Sequence, residues 1–157
     1  VSPTVRARTG YDATWFEKDF LREAWSANHL VIEASNMVLD WKLPEETREL
    51  AKTRAQAHME MQDQLVDAAT RSALNVPGTL TEDHQRLLVA LMKATAGDKV
   101  GTYRDLLSKV REANLPLYER CAAECETQNM RRIAEAALGE VKAHETPAAS
   151  EASGGKS

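Results

Sequence analysis

From Phe16 to Trp41 apolar side chains recur every three or four residues: Phe16, Phe20, Ala24, Ala27, Val31, Ala34, Val38 and Trp41. This is the period of one face of an α-helix, held for about seven turns. A second row, Leu21, Trp25, Ile32 and Leu39, lies beside the first and widens the apolar surface. A helix so broadly apolar either sits centrally among other helices or also meets another subunit. Trp25 and Trp41 flank the wide face. Core or edge packing accounts for them, and a homodimer through a Trp25/Trp41 face is the alternative, because aromatic residues are enriched at such surfaces. Thr14-Trp-Phe-Glu17 has the form of a capping box and predicts a helix start at Thr14.

The remainder of the chain reads the same way. Pro44 ends the first helix and can open a second, with Glu45 and Glu46 supplying the sign favoured at a helix N-terminus. Leu50, Ala51, Ala55, His58, Met61, Leu65 and Ala68 form its inner row, and Asn75-Val-Pro77-Gly78 stops it. Thr81 starts a short third helix. The fourth runs from about Lys99 to Cys125 with Tyr103, Leu107, Val110, Asn114, Leu117, Cys121 and Cys125 inward, and Pro116 should kink it. A last helix carries Met130, Ile133, Ala137, Val141 and His144 on one side. No stretch alternates with period two, so no sheet is expected. Long amphipathic helices with short connections pack as an all-α, antiparallel four-helix bundle with a short additional helix.

Composition bounds the function. The 157 residues suffice for one domain. Residues 1–12 read as an extended arm, 13–144 as the bundle and 145–157, small and Gly/Ser-rich, as a disordered tail. The formal charge is −4 with both signs interspersed, which argues against a nucleic-acid partner. The longest apolar run, Leu87–Met92, falls far short of the roughly 20 residues of a membrane span.

Few residues carry chemistry. A di-iron bundle needs a Glu from each of two helices and Glu-x-x-His from each of the others. No Glu-x-x-His occurs; Glu140-Val-Lys-Ala-His144 is one residue too long. His58 and His144 fall on apolar stripes. A hydrogen-bonded interior histidine is the plain explanation of each, and a metal ligand the sharper one. Met59 and Met61, beside His58, diverge by about 200° on a helix and cannot join it on one ion. Cys121 and Cys125, one turn apart on a regular helix, are poorly placed for a disulfide and read as buried thiols. They could lend soft ligands to a transition metal at His58 and His144. The sequence requires no cofactor, shows no Gly-rich phosphate loop and holds no complete catalytic set.

The order of several segments resembles the domain-of-unknown-function family 4142, exported bacterial proteins with a ferritin-like helical fold. The matching residues are Phe20-Leu-Arg-Glu-Ala24 with Asn28 and Glu33; Leu50-Ala51 with His58 and Leu65; Val76-Pro77 with Leu80 and His84; Tyr103; Leu117-Tyr-Glu119; and Leu138-Gly-Glu-Val-Lys-Ala-His144. They cover the chain from about Phe20 to His144. Two positions depart from the family's habit: Val110-Arg111 stands where Asp-His is frequent, and Leu138-Gly139 where Leu-Pro is frequent. If the family's histidines share a site, this member has lost one of them. The resemblance implies export, to the periplasm or beyond, with a signal peptide removed before Val1. It supplies no reaction.

These observations favour an exported, non-enzymatic bundle with a binding, sensing or envelope-stress role. A metal-binding bundle using His58 and His144, with Cys121 or Cys125 as helpers, is the alternative. An enzyme would need a pocket holding at least two titratable groups with displaced pKa values.

Overall fold

A computed structural model describes the backbone of residues 3–154 and the side chains of residues 15–142. It is all-helical, with no strand among the described residues: α1 spans Pro3–Asp40, α2 Glu45–Arg71, α3 Glu82–Lys93, α4 Lys99–Glu124 and α5 Gln128–Gly154. Helical backbone therefore begins at Pro3, upstream of the start expected at Thr14. It also continues through residues 145–154, for which a tail was expected. The side chains of residues 1–14 and 143–157 lie outside the described residues.

The periodic rows are the interior. Phe16, Phe20, Leu21, Ala24, Ala27, Val31, Ala34 and Val38 are all buried. Ala24, Ala27, Ala51, Ala55, Ala68 and Ala69 are buried in α1 and α2, which pack extensively on each other. The two run antiparallel, since Asn28 meets both His58 and Gln62 while Phe20 shares a cluster with Leu65. α4 packs on α1 and α5, α5 also on α2, and the short α3 bridges α1 and α4. In α4 the interior differs by one position from expectation at two places: Leu106 and Tyr118 are buried, while Leu107 and Leu117 are only partly so.

Helix ends are set by local chemistry. Thr81 caps α3 by accepting the His84 N–H at 3.4 Å. α2 ends in a Schellman turn: Leu74 N–H donates to Ala69 O at 2.8 Å and Ala73 N–H to Thr70 O at 3.2 Å. Ala73 occupies the left-handed position, with φ +57°. Glu17 does cap a helix, but not its own. From α1 its Oε1 accepts the N–H groups of Glu126 and Thr127, at 2.7 and 2.8 Å, and its Oε2 accepts the Thr127 hydroxyl at 2.5 Å, at the approach to α5.

Candidate functional site

The interior is not continuous. One apolar cluster gathers Phe16–Ala24, Leu65–Ala69, Tyr118–Cys125 and Met130–Ala137; the other gathers Ala27–Val38, Ala51, Leu91 and Tyr103–Val110. Between them, at mid-height, lies a layer of polar side chains. Asn28 follows Ala27 in α1 and is buried. His58 and Gln62 stand one turn apart in α2, and buried Asn114 follows Val110 by one turn in α4.

Three hydrogen bonds order this layer. His58 Nδ1 and Asn28 Oδ1 are 2.8 Å apart, Asn28 Nδ2 donates to Gln62 Oε1 at 3.2 Å, and Gln62 Nε2 donates to the Trp25 carbonyl at 3.1 Å. Because an amide oxygen only accepts, this geometry puts the proton on His58 Nδ1.

Beside the layer a cleft of about 50 Å³ opens among the four long helices. Its polar walls are Arg54 and His58 from α2, Arg111, Asn114 and Tyr118 from α4, and Glu140 from α5. Val31, Met61, Leu107, Val110 and Val141 supply apolar wall, which is the larger share of the lining. Helical spacing explains the grouping: Arg54 lies four residues before His58, and Arg111 three before Asn114. Burial lowers the Arg54 pKa, and the like charge of Arg111 pushes the same way, against Tyr103 and Glu140, which favour the cation. Guanidinium is basic enough to stay charged through such a shift. Burial raises the Tyr118 phenol far above its ordinary value, so it is neutral, and Asn114 Nδ2 reaches its oxygen at 3.5 Å, a long bond.

Of the expected metal ligands, only His58 is found in this cleft. The side chain of His144 lies outside the described residues. Cys121 and Cys125 are not thiols: they form a disulfide, with Cα atoms 4.6 Å apart. The expectation of two free thiols on one regular helix fails because α4 ends at Glu124. Cys125, at φ −60° and ψ 133°, has left the helix, and its sulfur can turn back to Cys121. Both cysteines are therefore unavailable as thiolate ligands. Among the described residues no group of three or more His, Cys, Asp or Glu is placed to hold a metal.

Trp25 lies within α1, and Trp41 lies just past its end, 16 residues on. Each is partly buried within the chain: Trp25 stacks on His29 at 4.8 Å, and Lys99 Nζ sits 3.8 Å over Trp41.

Arg54 was not singled out in the sequence, where an arginine normally marks a solvated face, and Arg111 was named there only as a departure from the resembling family's habit. Their helical spacing to His58 and Asn114 was the available signal. Arg111, at the position where the resembling family often has histidine, proves to share the cleft with His58. A second missed pair is structural. Ser26 Oγ lies 2.6 Å from His84 Nδ1 and accepts the Thr81 N–H at 2.8 Å, both side chains being buried, which ties α3 to α1.

No protein with a curated description matches the sequence. Among solved structures, the crystal structure of a DUF305 protein from Streptomyces coelicolor, thought to be secreted, superposes with a TM-score of 0.65. The two are 18% identical, and the match covers 80% of this chain and 84% of that one. At that identity the likeness shows a common fold. The family model for a domain of unknown function, DUF4142, matches residues 3–150. With almost the whole length matched, and the polar layer and cleft inside the matched span, the chain belongs to the DUF4142 family.

Proposed function

We propose that this chain is an exported, non-enzymatic, ferritin-like four-helix bundle that binds a small ligand in the Arg54–Arg111 cleft. The cleft itself carries the reading. Bundles place their ligand sites between facing helices, and here a mostly apolar cavity with a few polar and charged side chains in its wall lies between two apolar clusters at mid-height. A purely structural interior would gain by filling that gap with apolar side chains.

Two observations support a periplasmic or secreted location. A disulfide between Cys121 and Cys125 suits an oxidising compartment. The Streptomyces coelicolor protein of similar fold is itself thought to be secreted.

The alternative, a metal held by His58 and His144, keeps His58 in the cleft, and His144 follows Glu140 by one turn of α5. Against it stand two guanidinium groups in the same cavity, whose charge opposes a cation. Elemental analysis of protein purified without chelator separates the readings: stoichiometric metal overturns the first.

The binding reading is tested by thermal-shift measurements over a chemically diverse set of small molecules, on the wild type and on Asn114→Leu. Stabilisation in the wild type that is lost when leucine fills the cleft is the expected result. No stabilising compound, or equal stabilisation of both proteins, overturns it.

A further inference from the structure

Among the described residues, the charges lining the cleft do not balance. Arg54 and Arg111 bring two guanidinium groups to one small cavity, and among the described residues neither makes an ion pair or a hydrogen bond. Exposed arginines elsewhere do pair, as Arg86 does with Glu82 and Asp83, Arg71 with Asp67, and Arg120 with Glu124. Among the described residues the acidic one in the cleft wall is Glu140, which is exposed at the rim. Among the described residues, the wall thus brings two guanidinium groups against one carboxylate.

Like charges held together inside a partly dry cavity repel, and their mutual repulsion persists until an anion enters. Guanidinium forks match the oxygens of carboxylate and phosphate groups and bind them bidentately. Asn114 adds an amide whose bond to Tyr118 is long. Size limits the guest: a cavity of about 50 Å³ holds about three to five water-sized centres, which is the bulk of an oxyanion of four or five heavy atoms.

We infer that the cleft is a site for a small oxyanion, or for the carboxylate or phosphate end of a larger molecule, clamped between Arg54 and Arg111. This rests on the binding function proposed above and names its ligand class. Glu140 at the rim competes with the guest for the guanidinium groups, so it tunes affinity downward.

The test is a two-dimensional amide NMR titration in an oxyanion-free buffer, with inorganic phosphate and acetate as probes and methylammonium and glycerol as controls. Saturable shifts at the amides of Arg54, His58, Arg111 and Asn114 are expected with phosphate or acetate, at a Kd of about 0.1–1 mM, the range such small ligands reach. Whichever of the two binds more tightly identifies the group as phosphate or carboxylate. Arg54→Gln and Arg111→Gln should each weaken binding at least tenfold, and Glu140→Gln should tighten it severalfold. Lys109→Gln, which removes a cation outside the cleft, should leave it unchanged. Arg111→Lys keeps the charge without the fork and should fall between wild type and Arg111→Gln. If methylammonium or glycerol shifts the cleft amides and the anions do not, the oxyanion assignment is overturned while the binding reading stands. If no probe shifts them, the assignment also fails, and the thermal-shift screen decides the binding reading separately. Equal weakening by Lys109→Gln and the cleft variants would reduce the effect to net charge and overturn the site.

Discussion

Removing the carboxylate of Glu17 should loosen the docking of α5 more than any surface change of equal size. Glu17 is 3% exposed, yet it joins segments 109 and 110 residues away in sequence through three hydrogen bonds. A hydrogen bond to a charged group contributes about 1.5–3 kcal/mol. Simple addition overstates the total, because the three bonds share one acceptor group. Glu126 is also exposed, so water can replace part of what its N–H loses. About 2–4 kcal/mol is the resulting expectation for Glu17→Ala, with a fall in Tm of about 5–15 °C for a chain of this length. Glu17→Gln keeps one oxygen for the two backbone donors, while its amide can donate to the Thr127 hydroxyl. It should cost about 1 kcal/mol, the loss of charge assistance near the positive end of α5. Urea unfolding followed by circular dichroism measures both, and native-state hydrogen exchange at Glu126 and Thr127 locates the effect. Equal losses for the two variants, or an alanine variant within about 0.5 kcal/mol of wild type, would refute the capping argument.

Other consequences are as direct. Ala73→Gly should stabilise the protein by about 0.5–1 kcal/mol in the same unfolding assay, since glycine takes the left-handed turn position without the Cβ clash. Burial holds the His84 pKa below its ordinary 6.5, with Asp83 partly opposing. The neutral ring is thus favoured in the folded state, and stability present above about pH 6.5 should be lost as pH falls through that value toward the lower folded one. Unfolding measured at stepped pH should show that slope flattened in His84→Gln. Denatured protein from an oxidising compartment should titrate no thiols before reduction and two after it; cutting so short a loop removes about 2 kcal/mol. Two thiols without reductant would also remove the compartment argument.

Much of this architecture can be read along the chain because helix periodicity is local. Each turn of α1 declares its inner face through residues three and four apart, and Phe20, Val31 and Leu65 are buried as their spacing requires. Thr81 caps α3 and the Asn75–Gly78 stretch lies beyond the end of α2, because caps and breakers act over a few residues. The small offset in α4, where Leu106 and Tyr118 replace Leu107 and Leu117 inside, arises on a helix whose faces differ little in polarity, and Tyr118 lies two residues past Pro116.

What spacing cannot announce is which end of one helix meets which side chain of another. Thr14-Trp-Phe-Glu17 has the pattern of a cap for its own helix, yet Glu17 serves α5 because the packed helices bring that terminus to it. The disulfide depended on α4 stopping one residue before Cys125, a boundary of the kind that local pattern reads least well. Arg54 and Arg111 each look like ordinary surface arginines within their own helices. Only the assembled bundle sets them around one cavity, where the energy of a charge depends on neighbours in three dimensions rather than on neighbours in the chain.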